Sequence, residues 1–266
     1  MSIQRKLTKI GKILRTGNYS YFTNRLRNKQ YLVQFVPTVR CQLLCGMCHQ
    51  KDIRACHEQE LSFPEIEIIF KNLKASGINQ INFIGGEFFV RQDAWQILDK
   101  AEEMGFLFSI ATNGTLLNDN DVAKLSYYWG LMEIDVSLDA CDAATHDKIR
   151  GIPGTRDKVV EFIENCKNFG ITIMVVAVAQ HDNYKHMIDL ANLLQSLKVD
   201  TLTVVQEFSI TKGTFDNTKK MLEALTNKKV DIFASYSVRD STFRYDLIDF
   251  KEKMSALKEH CKQIAQ

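Results

Sequence analysis

Three cysteines stand within eight residues, in the run Cys41-Gln42-Leu43-Leu44-Cys45-Gly46-Met47-Cys48. Thiolates at this C-x3-C-x2-C spacing can converge on one metal centre, and two chemistries are open. A cubane [4Fe-4S] cluster usually takes four cysteines, so three would leave one iron free to bind and activate a small molecule. A structural zinc ion would instead take His49 or His57 as its fourth ligand. Further along, Ile84-Gly85-Gly86-Glu87 ends an apolar run. Its glycines let backbone approach a ligand closely, and the Glu87 carboxylate can accept hydrogen bonds from an ammonium group. In Asp135-Val136-Ser137-Leu138-Asp139 the polar residues alternate with apolar ones. A polar row of this kind is costly inside a barrel unless it lines a ligand cavity, and its hydroxyl and carboxylates suit ribose hydroxyls. The string Thr145-His146-Asp147-Lys148-Ile149-Arg150-Gly151 adds an arginine that can pair with a carboxylate, while His146 and Asp147 fix the loop.

These residues need elements to hold them. Apolar, β-branched or aromatic runs at Tyr31–Val36, Ile81–Ile84, Phe106–Ile110, Glu133–Leu138, Ile171–Ala179 and Thr201–Phe208 read as strands buried on both faces. Amphipathic stretches lie between them. Pro64–Ala75 follows the N-cap candidate Ser62, and Asp93–Met104 ends before Gly105. Asp119–Tyr128, Arg156–Phe169 and Tyr184–Leu197 complete the set. About six β-α units argue for a parallel α/β sheet, and their combined length is short of the eight units of a closed barrel. The expected fold is α/β, a (β/α)6 partial TIM barrel. Residues 31–210 form its core, 1–30 a basic N-terminal helical arm, and 211–266 a short tail with helices around Asn217–Leu225 and Tyr245–Glu259.

The cysteine spacing, on the loop after the first strand of such a pattern, resembles the radical S-adenosylmethionine (radical SAM) enzymes over Tyr31 to Phe208. What the resemblance implies is specific. Cys41, Cys45 and Cys48 would hold a [4Fe-4S] cluster whose open iron binds SAM. One electron, from an external reductant of flavodoxin or ferredoxin type, would cleave SAM to a 5′-deoxyadenosyl radical that abstracts a substrate hydrogen. Gly85, Gly86 and Glu87 would hold the amino group of SAM. Asn113, in Ala111-Thr112-Asn113-Gly114, would line the SAM pocket. Ser137 and Asp139 would meet the ribose or the substrate, and Arg150 a carboxylate of SAM or substrate. Val178 and Gln180, on the fifth strand, are candidates for adenine contacts. Met47 stands where the family often has an aromatic residue near adenine, and as a flexible apolar side chain it can fill that place. The resemblance assigns no catalytic residue. The Gly-Gly-Glu and His-Asp-x-x-Arg-Gly strings lean towards peptide- or protein-modifying branches, with a small metabolite also open as substrate. Many relatives carry a cysteine-rich extension for auxiliary clusters, whereas this tail has only Cys261.

Composition sets the context. The 266 residues are 45% hydrophobic and 25% charged, ordinary globular values that exclude disordered and fibrous classes. The longest apolar run falls far short of the roughly 18 residues of a membrane span, and no signal-peptide core is present, so the cytoplasm is the expected compartment. Seven cysteines in such a chain suggest thiols or metal ligands rather than disulfides. Residues 1–40 hold nine Lys or Arg and no Asp or Glu, while the other 226 hold 25 basic and 32 acidic groups, a net of −7. Ile3, Leu7, Ile10 and Leu14 recur at helical spacing with lysines between them, a basic amphipathic helix. That arm is a candidate for an acidic peptide or protein partner. With Tyr19, Tyr21 and Phe22 interleaved, it also supports a second reading, a zinc-stabilised nucleic-acid- or partner-binding protein without catalysis.

Overall fold

The computed structural model describes residues 31–48, 50, 60–207, 209–211, 216–217, 220–221, 223–224, 237–239 and 247–264. Six strands form one sheet: β1 (Leu32–Phe35), β2 (Gln80–Phe83), β3 (Leu107–Thr112), β4 (Leu131–Ser137), β5 (Ile173–Ala179) and β6 (Thr201–Gln206). All neighbours are parallel and their spatial order is their sequence order. The crossovers carry α1 (Phe63–Ala75), α2 (Ala94–Glu103), α3 (Asp119–Tyr127), α4 (Ala143–Arg150), α5 (Thr155–Asn168) and α6 (Met187–Ser196). A sequential order with helical returns winds the sheet in one direction, the partial barrel expected from the sequence.

One face of the sheet is packed under helices. Ile81, Phe83, Ile110, Ile134, Val136 and Val175 are all at most 1% exposed and share a single core with helix residues such as Phe70, Ile97, Leu125 and Phe162. The alternate residues of the strands, among them Asn82, Ser109, Glu133, Asp135, Ser137 and Val176, therefore face the concave side. A register shift shapes that side. Phe108 pairs with Leu131 but Ser109 pairs with Glu133, so Met132 is an extra residue in β4. Leu131 thereby joins the core while Glu133 and Asp135 both reach the concave face.

Three features depart from the sequence expectation. The His146–Arg150 string is not loop but the helix α4, capped by Asp142, whose carboxylate accepts the Thr145 N–H at 2.8 Å. The stretch after Gln180 starts as a 3-10 turn (Tyr184–His186) before α6 begins. Beyond β6, β7 (Ser209–Thr211) and β8 (Ser237–Arg239) pair in parallel, where only helices were expected. The last helix, α7 (Leu247–Ile264), packs on α6, with Leu257 buried and the Tyr184 hydroxyl donating to Asp249 at 2.7 Å. The basic arm, His49, Cys56, His57 and four of the nine residues 217–225 lie outside the described residues.

Candidate metal and cofactor site

The cysteine loop leaves β1 at its C-terminal end and is tied down from three sides. From below, Arg91 is 6% exposed and donates to the carbonyls of Pro37 (2.8 Å) and Leu61 (2.9 Å), and it pairs with Asp93. Arg40 meets Glu60 through two hydrogen bonds, at 2.7 and 2.8 Å, and the Thr38 hydroxyl donates to the same carboxylate. From β2, the Gly86 and Glu87 N–H groups donate to the carbonyls of Thr38 (2.9 Å) and Arg40 (2.8 Å). A side chain on Gly85 or Gly86 would strike those same two carbonyls. The close approach that these glycines permit is thus to the chain's own cysteine loop. From α4, the carbonyls of Ile149 and Arg150 accept the N–H groups of Gly46 (3.3 Å) and Leu44 (3.1 Å).

The thiols sit among N–H donors. Cys41 Sγ faces the Leu43 N–H at 3.4 Å and Asn113 Nδ2 at 3.8 Å. Cys45, 9% exposed, faces Arg150 Nη1 at 3.9 Å. Burial pushes the Cys41 thiol up to about 11, with Glu87, Cys45 and Cys48 adding to the rise. Burial also raises Cys45, and Arg150 pulls it back. Such sulfurs lose their protons when a metal supplies the positive charge, and N–H groups aimed at them are the usual outer support of a thiolate-bound centre. The donor set of Cys41, Cys45 and Cys48 fits an iron–sulfur cluster with three protein ligands. Among the described residues no three His, Cys, Asp or Glu side chains close round one point as a single-ion cage.

The remaining candidates fall into two groups. Several are committed to the protein. Glu87, 1% exposed, was expected to face an ammonium group. Its carboxylate instead accepts from the Asn113 N–H (2.8 Å), the Thr112 hydroxyl (2.9 Å) and the Phe89 N–H (3.2 Å). Burial outweighs these bonds and lifts it to about 7. Asp139, fully buried, was expected at the SAM ribose or the substrate. Its two oxygens accept from Arg150 Nε at 2.6 Å and from the Val178 N–H at 2.8 Å. Arg150 therefore has its carboxylate partner inside the chain. Burial opposes its charge, but Asp139 and Cys45 hold its pKa above the usual value. His146 accepts the Asp139 N–H at its Nδ1 (3.2 Å), and burial holds it neutral, at about 4. Asn113 is bound on its oxygen by Gln42 (3.0 Å) and Thr115 (2.7 Å). The other group remains partly open. Met47, Ser137 and Val178 are half-buried at the loop or on the concave face, while Gln180 is buried with its side-chain nitrogen unpaired.

The sequence reading missed Gln42, Glu60, Arg91, Thr112 and Thr115, because each acts through contacts made by folding. Arg91 alone left a signal, a basic residue just past the Gly-Gly-Glu turn.

Residues 35–194 match the radical SAM superfamily. Fe-coproporphyrin III synthase of Methanosarcina barkeri is 33% identical over 175 residues, 65% of this chain and 43% of that protein. PqqA peptide cyclase of Rhodopseudomonas palustris is 27% identical over 167 residues, 63% of this chain and 44% of the relative. The chain thus spans under half the length of these curated relatives. Among solved structures, Streptococcus suis SuiB bound to S-adenosylmethionine superposes with a TM-score of 0.65 at 16% identity, over 98% of this chain and 59% of that one. SuiB bound to its precursor peptide SuiA gives 0.63 at 18% identity, over 95% and 51%. At such identities the likeness shows the fold alone.

Proposed function

The chain belongs to the radical SAM superfamily of enzymes, and from that membership we propose that it generates a substrate radical by reductive cleavage of SAM at a cluster held by Cys41, Cys45 and Cys48. When bound, the [4Fe-4S] cluster would pass one electron to the sulfonium, breaking its C5′–S bond to give methionine and a 5′-deoxyadenosyl radical that takes a hydrogen atom from the substrate. The protein's own part is positional. Leu43, Asn113 and Arg150 direct N–H groups at the thiolates. The Gly85–Gly86 backbone would receive the SAM ammonium, and Glu87 fixes their turn to the end of β3. Ser137 offers its hydroxyl to the ribose from the concave face, and Met47 offers an apolar surface to adenine. Asp139 and Arg150 hold the cysteine loop against α4 and β5. The observation that carries the reading is the three-sided fixing of the cysteine loop, with N–H donors on Cys41 and Cys45.

The substrate class is a peptide, a protein or a small metabolite, and the electron comes from an external flavodoxin- or ferredoxin-like reductant. The peptide cyclase relative supports a peptide. The test is anaerobic reconstitution with iron and sulfide, then EPR of the reduced protein with and without SAM. 5′-Deoxyadenosine is then assayed beside a variant with all three cysteines changed to Ala. About four irons per chain, a SAM-dependent spectrum and cysteine-dependent 5′-deoxyadenosine are expected. Tight zinc with no SAM cleavage would overturn the reading in favour of the zinc alternative.

A further inference from the structure

The concave face holds polar groups that the cysteine loop does not use. Asp135 sits on β4 two residues before Ser137, one inward-facing layer or about 7 Å deeper. It is 7% exposed, and its Oδ1 has no hydrogen-bond partner among the described residues. The Asn82 side chain, from β2, approaches it closely enough to favour its charged form. That contact spans β3, whose inward residues there, Ser109 and Ala111, are small. Asn82 Oδ1 is likewise buried and unpaired. Glu133 lies next along the same face and repels the Asp135 charge. Burial first, then Glu133, raises Asp135 to about 6, and no basic side chain among the described residues acts on it.

The two unpaired atoms are both acceptors and belong to neighbouring side chains. Buried acceptors without donors are costly, and a buried carboxylate more so. A donor without charge would satisfy the hydrogen bonds and leave two carboxylates repelling. A cationic donor answers both deficits. The half-buried Met174 and Val176 of β5 offer apolar surface beside Asp135 and Ser137, along which an aliphatic stem could pack.

We propose that Asn82, Glu133 and Asp135 form the floor of the substrate site and that this floor takes an ammonium or guanidinium group on an aliphatic stem. The group belongs either to a basic side chain of a peptide or to a free amine. This rests on the reading above, in that a substrate entering the barrel meets this floor beneath the SAM site. A carboxylate-ended substrate is repelled at the same place.

The reconstituted full chain, with SAM present, is titrated with four probes and followed by NMR: N-acetyl-lysine N-methylamide, its norleucine and glutamate counterparts, and n-pentylamine. The lysine probe is expected to bind at least tenfold tighter than the norleucine and glutamate probes. Asp135→Asn is expected to erase that preference, and Glu133→Gln to weaken it. Pentylamine binding as well as the lysine amide would identify a free amine, and weaker binding a peptide. Equal binding of the norleucine or glutamate probe overturns the proposal, as does an unchanged lysine preference in Asp135→Asn. Thermal melts show whether each variant folds, and Glu133→Gln serves if Asp135→Asn does not. 5′-Deoxyadenosine is measured in the same wild-type sample. Its absence counts against radical chemistry, whereas the probe preference alone decides the floor.

Discussion

Asp139 and Arg150 lie eleven residues apart in the chain and 2.6 Å apart in space. Neither side chain is more than 9% exposed. Burying two opposite charges gains little over burying two apolar groups, but removing one partner strands the other. Asp139→Ala leaves the Arg150 guanidinium without its anion beside Cys45. It is expected to destabilise the cluster-free protein by roughly 3–5 kcal/mol in urea unfolding. The double variant Asp139→Ala, Arg150→Met is expected to lose less than the single one, the mark of direct coupling. If the double loses the sum of the two singles, the ion pair does not hold this corner. None of this pairing was legible in the sequence. The string that contains Arg150 was visible, but its partner is set by the turn between β4 and α4. The inward set of Glu87 was also hidden, because a glutamate after two glycines reads equally well as facing ligand or as facing protein. The concave polar row was readable from alternation on β4, although the extra residue at Met132 that completes it was not.

At the scale of elements, the strands were legible as apolar, β-branched or aromatic runs, although helices cover only the convex face and β1 and β6 are largely exposed. The helix α4 was not. Its eight residues, Ala143 to Arg150, bury little apolar surface, so no amphipathic stripe marks them. Yet its last carbonyls hold the cysteine loop. The helix ends at Gly151, with φ +77°, where a Cβ would stand 2.6 Å from the Leu44 carbonyl oxygen. Gly154, three residues on, has φ +79° and open space around it. Both positions carry the left-handed penalty of about 1–2 kcal/mol for an L side chain. Only Gly151 adds a collision with the loop between Cys41 and Cys45. Gly154→Ala is expected to lower stability by that penalty and keep full iron loading on reconstitution. Gly151→Ala is expected to lose more stability and also iron per chain. Equal iron content in the two variants would mean that α4 does not position the cysteines.

For the whole molecule, the sheet divides labour by face. The convex face buries the apolar core that stabilises the domain, which leaves the concave face free to be polar and the strand ends free to carry loops. No helix among the described residues is long and apolar enough to cross a membrane. Charge is divided as well, with nine basic groups in residues 1–40 and a net of −7 beyond them. A positive segment on a negative body raises encounter rates with acidic partners and repels them elsewhere, an effect that salt removes over a Debye length of about 8–10 Å. An external reductant with an acidic docking face would be such a partner. Changing Lys6, Lys9 and Lys12 to Glu is therefore expected to leave 5′-deoxyadenosine formation with dithionite unchanged, because a small anion needs no docking face. With reduced flavodoxin at low ionic strength the same variant is expected to turn over about tenfold more slowly, within the 10–10³ range of electrostatic steering. The gap closes as salt is raised towards 1 M, where screening is nearly complete. A rate with flavodoxin that is equal in both proteins at low salt would show that the arm does not serve the electron donor. An acidic peptide would then be the partner left to test.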